Sequence, residues 1–335
     1  AATATLSRVA TSDPDAGVRK SAVYAIGNRS STTSVPALIR IAKNDQDPEV
    51  AQAAVYAFAN QNSSEATNAL IELLQTATSL KVRQAALHSL SNTGQPEALP
   101  VLEKIALQDA DSKLQETAVY AIANFGSEAA LKSLQGIFAK STNVKVRRAT
   151  AYAIANTGSP AAATFLATSA LKEPDDKTAE ALVYAIGNLG ADNAVDELLK
   201  LVANAQAPSA RKAALYAIGN SGGTKAVEAL AQIASTATDE ELQKAAVYAI
   251  ANAGDQKAVT ALTALMPKLV AIEARQAVVY ALGNTGEDSA ISTLLQVASK
   301  DASPKVRAAA VNALGQIDSP KAKEALLKII RGEKQ

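Results

Sequence analysis

Tyrosine occurs at eight positions in this chain, and all eight lie on one arithmetic progression of step 32: Tyr24, Tyr56, Tyr120, Tyr152, Tyr184, Tyr216, Tyr248 and Tyr280. The one internal gap is filled by His88, the only histidine, and Asn312 ends the column. Four residues after each of the first nine positions stands an asparagine: Asn28, Asn60, Asn92, Asn124, Asn156, Asn188, Asn220, Asn252 and Asn284, with Gln316 closing the series. A fixed period in the range of about 20–50 residues is what stacked repeats produce. Each unit buries its apolar face only against its neighbours, so no central core is needed.

The segment from Asp47 to Ala77 shows how one unit folds. Asp47 is a good N-cap, and Pro48 follows at the first helical position, where its missing N–H costs nothing. Val50, Ala54, Ala57 and Phe58 recur at helical spacing, a polar run Gln61-Asn62-Ser63-Ser64 makes a turn, and Ala66, Leu70, Leu73 and Leu74 form the stripe of a second helix. Turns this short force the two helices antiparallel. The second helices share a leucine column without exception, from Leu6, Leu38, Leu70, Leu102, Leu134 and Leu166 through Leu198, Leu230, Leu262, Leu294 and Leu326. These leucines are the expected core.

Helix punctuation repeats too. A glycine two residues after the asparagine (Gly94, Gly126, Gly158, Gly190, Gly222, Gly254 and Gly286) supplies the left-handed residue that ends a helix. Asp15, Asp47, Ser79, Asp111, Asn143, Asp175, Asp239 and Ser303 are the expected N-caps. Ala207 stands at that address before Pro208, and Ala271-Ile272 lacks both signals behind Pro267, so an irregular turn is predicted there. The organisation read from these columns is a single solenoid over 1–335: a partial repeat at 1–11, ten 32-residue repeats at 12–331 and a tail at 332–335. The last unit carries Lys321, Lys323, Glu324, Lys328 and Arg331, as a polar terminal cap does. The chain starts at Ala1 without methionine and with Leu6 already in the second-helix column. This predicts residues upstream of Ala1, or another subunit or copy covering that end.

Composition excludes several function classes. With 33 basic against 32 acidic residues and no block of one sign, there is no basic stripe for nucleic acid. No apolar run approaches the length of a membrane span. Cysteine is absent, which removes disulfides, thiolate nucleophiles and Cys-based metal sites. Few charges, no cysteine and many Ala, Ser, Thr, Asn and Gln residues favour an exported bacterial protein, periplasmic or extracellular, over a cytoplasmic one. One histidine cannot build a His-based metal site, and no phosphate-binding, dinucleotide or zinc-protease motif occurs. No cofactor and no catalytic residue is expected.

Segments such as Val306-Arg307-Ala308-Ala309-Ala310-Val311-Asn312-Ala313-Leu314-Gly315 and Val82-Arg83-Gln84-Ala85-Ala86-Leu87-His88 resemble the HEAT-like repeat of the phycobilisome-lyase type. The resemblance extends over the whole chain. It implies an all-α, right-handed superhelix whose first helices line a concave surface, with the tyrosine slot at a variable, ligand-facing position. It also brings in a bilin-lyase-like enzyme, against which stands the lack of any unique reactive residue outside the repeat pattern. The family arginine occupies the odd repeats (Arg19, Arg83, Arg147, Arg211, Arg275), while the even ones hold Ala51, Gln115, Ala179, Gln243 and then Arg307. The alternation suggests a 64-residue super-unit, with the arginines expected to bond to inter-repeat turns.

The Tyr/Asn columns carry the functional expectation. At 100° per residue, the asparagine lies about 40° from its tyrosine, while the apolar columns two before and two after fall at about 160° and 200°. Tyr and Asn therefore share a face that points away from the core. Beside them runs a mixed polar row: Lys20, Gln52, Gln84, Glu116, Arg148, Glu180, Lys212, Lys244 and Gln276. Tyrosine offers a stiff amphipathic contact surface and asparagine paired donor and acceptor groups. The candidate ligand ladder is Tyr56, Asn60, His88, Asn92, Tyr120, Asn124, Tyr152, Asn156, Tyr184, Asn188, Tyr216, Asn220, Tyr248 and Asn252. Its expected partner is a protein or extended peptide; a glycan stacked on the rings is the alternative. The competing reading is structural, with each Asn bonding along the ladder or to a helix-end carbonyl and stiffening the solenoid, or with the N-terminal end assembling into a larger whole.

Overall fold

The computed structural model describes residues 2–29, 33–61, 63–159, 161–189, 194–253 and 256–331. Gly190, Gly254 and the 332–335 tail lie outside the described residues. Among the described residues all regular structure is helical: twenty-one α-helices and three 3-10 turns, with no strand. The residues group into two compact units, 1–162 and 163–335.

The first unit contains α1 (Ala2–Ser12), α2 (Ala16–Gly27), α3 (Ser34–Asn44), α4 (Pro48–Ala59), α5 (Ser64–Thr76), α6 (Leu80–Ser91), α7 (Leu99–Gln108), α8 (Ser112–Ala123), α9 (Glu128–Lys140) and α10 (Val144–Asn156). Each even-numbered helix packs on the odd-numbered one before it and on the next even-numbered one, so α2, α4, α6, α8 and α10 form one layer. The second unit repeats the plan with α11 (Ala161–Lys172), α12 (Asp176–Asn188), α13 (Ala194–Asn204), α14 (Pro208–Ser221), α15 (Gly223–Thr236), α16 (Glu240–Asn252), α17 (Gln256–Leu265), α18 (Ile272–Asn284), α19 (Ile291–Lys300), α20 (Pro304–Gln316) and α21 (Pro320–Arg331). The unit boundary falls in the first turn of α11.

The leucine column lies in the odd-numbered helices, and Leu38, Leu70, Leu102, Leu134, Leu166, Leu198, Leu230, Leu262 and Leu294 are fully buried. Leu6 and Leu326, at the two extremes, are half-buried. Around them the core is aliphatic, with Ala54, Val55 and Phe58 of α4 and Ala118, Val119 and Ile122 of α8 fully buried. Small residues let the even-numbered helices approach closely. At Gly219 of α14 an added Cβ would stand 2.3 Å from the carbonyl oxygen of Ala249 in α16.

Helix ends follow the punctuation, with two corrections. Asp15, Asp47, Asp111, Asn143, Asp175 and Asp239 accept backbone N–H groups of the next turn through their side chains. Ser79 and Ser303 sit at the N-cap without a side-chain cap bond. Gly94, Gly126, Gly158, Gly222 and Gly286 take φ between 56° and 66°, the left-handed conformation expected of them. Behind Pro267 the turn is irregular as predicted. Met266–Lys268 forms a 3-10 turn, Val270 stands 89% exposed, and Ala271 offers no cap bond to α18.

The arginines of the odd repeats prove structural. Arg19 in the first turn of α2 donates from Nε and Nη2 to the carboxylate of Asp45, at 2.9 and 3.0 Å, and from Nη1 to the Asp13 carbonyl. The Asp45 side chain, 5% exposed, in turn accepts the Asp47 N–H and so shapes the next turn. Arg83 donates to Asp109 from Nη1 and Nη2, and Arg275 to Asp301 from Nη2 at 3.3 Å. Arg147 donates to the Phe138 carbonyl at 2.7 Å and stacks its guanidinium 4.2 Å from the Phe138 ring centre.

Candidate functional site: the tyrosine and asparagine ladder

The tyrosine column is at the surface, as the helical projection requires. Tyr24 is 52% exposed and Tyr56 and Tyr120 are both 40% exposed. Tyr184 and His88 are exposed as well, and Tyr152, Tyr216, Tyr248 and Tyr280 are half-buried. Residues two before and two after the column, such as Ala54 and Phe58 beside Tyr56, are fully buried. Tyr24, Tyr56, His88, Tyr120 and Tyr152 belong to the first unit, and Tyr184, Tyr216, Tyr248 and Tyr280 to the second.

All nine asparagines of the column are exposed. They stand at helix ends rather than in helix interiors. Asn28, Asn60, Asn92 and Asn124 are C-cap residues, and Asn156, Asn188, Asn252 and Asn284 are the last residues of their helices. Their backbone N–H groups close the last turn; that of Asn28 donates to the Tyr24 carbonyl at 3.0 Å. Among the described residues, no side chain of these nine asparagines is bonded to another protein group. The amides at Asn60 and Asn92 face outward beside their tyrosine and histidine instead. The bonds along the ladder or to a helix-end carbonyl that the competing structural reading calls for are absent among the described residues. Asparagine is a poor residue inside a helix, but at the terminus, which at Asn92, Asn124, Asn156, Asn220 and Asn284 lies ahead of a left-handed glycine, that cost falls away without any compensating side-chain bond.

Rungs two and three close around a definite space. The Tyr56 and His88 rings meet edge to face, with centres 6.4 Å apart and planes at 83°. Together with Ala59, Asn60, Ser89 and Asn92 they line a cavity of about 470 Å3. Tyr56, Asn60, His88 and Asn92 were all legible as candidates in the sequence. Ala59 and Ser89 were not, because small residues carry no signal until the floor of the cavity is seen.

The electrostatics of the ladder are mild. Burial, then the Glu116 carboxylate and the neighbouring Tyr152, raise the Tyr120 hydroxyl above its ordinary pKa, against the opposing pull of Arg148. Burial and the flanking Tyr280 and Tyr216 do the same at Tyr248, opposed by Lys244. These hydroxyls stay protonated as hydrogen-bond donors. The flanking lysines are answered within the chain. Lys20 and Lys81 converge on Glu49, Lys212 meets Glu241 at 3.0 Å, and Lys244 meets Glu240 at 2.8 Å. Lysine hydrogen bonds hold Glu49 and Glu241 below the usual carboxylate range. The surface is therefore aromatic, amide-rich and close to neutral. Among the described residues no group of three or more His, Asp or Glu side chains is placed to hold a metal, and no helix is long and apolar enough to cross a membrane.

The family model for HEAT repeats matches residues 1–59, 35–112, 99–187, 167–251, 195–270 and 270–334, and the chain belongs to the HEAT-repeat family. Its fold is an all-α superhelical repeat. No curated protein matches it in sequence. Among solved structures it is similar to the karyopherin Kap121p bound to the SUMO protease Ulp1p, over 99% of this chain and 42% of that one at 14% identity and a TM-score of 0.55. It is also similar to Kap95p, in a structure concerned with its binding to RanGDP, over 99% of this chain and 54% of that one at 13% identity and a TM-score of 0.54. The chain thus spans about half or less of these karyopherins. Human deoxyhypusine hydroxylase aligns over 75% of this chain and 96% of its own at 20% identity, with a TM-score of only 0.34.

Proposed function

We propose that the protein is a non-enzymatic interaction scaffold whose Tyr/Asn ladder binds an extended peptide segment of a protein partner. The observation that carries this reading is the set of nine exposed column asparagines with no internal side-chain bond, each beside an exposed or half-buried ring. An extended backbone presents alternating N–H and C=O groups, and a carboxamide matches both with one donor and one acceptor. The rings supply contact area at low entropic cost. A near-neutral surface suits the uncharged backbone better than a polyanion, whose binding rests on unpaired basic residues. Membership of the HEAT-repeat family and likeness to karyopherins solved with protein partners support the same class of role.

The test is selection of peptides from a displayed library on the full chain, followed by affinity measurement. Tyr56→Ala with His88→Ala should weaken the selected peptides at least about tenfold, equivalent to 1.4 kcal/mol, with the circular dichroism unchanged. Undiminished binding by this folded variant would remove the ladder from the reading.

A further inference from the structure

On the turn edge of the first unit, at the opposite end of α4 from Asn60, one repeat lacks a side chain that most others have. Six arginines and a glutamine at one address in the first turn of the even-numbered helices donate to nearby turn carbonyls, Arg275 among them to that of Val270. Arg19 and Arg307 reach the carbonyls five and six residues earlier (Pro14 and Asp13; Ala302 and Asp301), and Arg211 reaches that of Ala205. Arg83, Arg147 and Gln243 reach the carbonyl nine residues earlier, on Leu74, Phe138 and Ala234. In α4 the address is Ala51, and the residue opposite it in the next turn, where Asp45, Asp109 and Asp301 pair with arginines, is Ala77.

At this address lies a cavity of about 640 Å3, bounded by Ala42, Asp45, Gln46, Pro48, Ala51 and Ala77 among others, where the turns that hold Arg275 and Arg83 leave only about 420 and 230 Å3. Its floor at Ala51 is closed, 2% exposed, while Gln46, Thr76 and Thr78 at its mouth are exposed. The carbonyls equivalent to the acceptors above belong to Asp45, Gln46 and Ala42, and among the described residues no donor reaches any of the three. Ala179 shares the address in α12, but there the longer Glu173 side chain lies buried in the turn.

We infer that this cavity is a receptor site for an arginine side chain of a protein partner, which supplies from outside the guanidinium that the chain supplies to itself elsewhere. Carbonyls without donors on three residues that line one space suit a planar group with several fixed donors, and guanidinium carries five N–H bonds where an ammonium carries three on a single point. The site is separate from the ladder, so each can fail without the other.

The test uses the full chain with 13C-labelled alanine methyls, titrated with N-acetyl-arginine amide up to about 10 mM, the range of a weak single-residue contact. Saturable shifts at the Ala51 and Ala77 methyls are expected, with binding of N-acetyl-lysine amide at least about tenfold weaker. Ala51→Arg, helical by circular dichroism, should lose the Ala77 response. If that variant does not fold, Ala51→Met fills the slot without donors and should lose it equally. Absence of saturation, or an unchanged Ala77 response in the folded filled variant, overturns the inference. Tighter binding of free arginine than of the capped amide would overturn the assignment to a peptide-borne side chain.

Discussion

Gly219→Ala sets two opposing effects against each other, and the structure decides between them. In a helix interior, alanine is favoured over glycine by about 1 kcal/mol. The new methyl, however, would lie 2.3 Å from the Ala249 carbonyl oxygen, 3.0 Å from its carbon and 3.2 Å from its Cα. These are backbone atoms of α16, so no rotamer change relieves the contact, and α14 must move away from its neighbour. Overpacking of this kind costs about 1–3 kcal/mol, which leaves a net loss of about 1 kcal/mol. Gly187→Ala in α12 is the matched control, because its methyl meets the Ala217 Cβ at 3.3 Å and the nearest backbone atom, the Ala217 Cα, at an ordinary 3.9 Å. A few tenths of an ångström of give suffices there, and a gain of up to about 0.5 kcal/mol is expected after that adjustment. Urea denaturation followed at 222 nm gives the midpoints. Repeat arrays can lose two-state cooperativity, so hydrogen exchange in α14 and α16 locates the effect. A Gly219→Ala midpoint at or above wild type, or a Gly187→Ala midpoint below that of Gly219→Ala, would refute the reasoning.

Three further outcomes follow from the packing and the charges. Leu102→Ala removes a fully buried member of the leucine column and should cost about 2–5 kcal/mol, read as a lowered urea midpoint with the strongest exchange in α7 and α8. Arg83→Met leaves the Asp109 carboxylate, 7% exposed, without its ion pair and should cost about 2 kcal/mol; adding Asp109→Asn should recover part of that loss, and strict additivity would contradict the pairing. The raised Tyr120 hydroxyl binds its proton more tightly folded than unfolded. Its contribution to stability is thus complete below a pH of about 10 and is lost as pH rises through the higher folded value. Tyrosinate absorbance near 295 nm should show a late-ionising component that Tyr120→Phe diminishes.

Much of the fold was legible because one address repeats. Leu38 to Leu294 mark the core, and Gly94, Gly126 and Gly158 mark the helix ends, each by a requirement local to one turn. The bonds between repeats were harder to read. Arg19 was recognisable as a turn-bonding residue, but its acceptor Asp45 lies 26 residues away, and only stacking of the helices brings the two together. The close approach at Gly219 and the cavity beside Ala51 are properties of small residues, whose role is fixed by what stands opposite them. At the ladder, periodicity and projection placed Tyr56, Asn60, His88 and Asn92 on one outward face. Whether the asparagines bond to one another depends on side-chain reach across helix ends, which no periodicity encodes.

That distinction is open to one direct measurement on Asn60→Ala, Asn92→Ala and Asn124→Ala combined: the urea midpoint, compared with wild type, and the affinity for a peptide selected on wild type, from the same preparation. With the three side chains unbonded inside the protein, stability should change by less than about 0.5 kcal/mol per site, while peptide binding weakens at least about tenfold. A large fall in the midpoint with binding intact would show a ladder that bonds to itself, and would contradict the account.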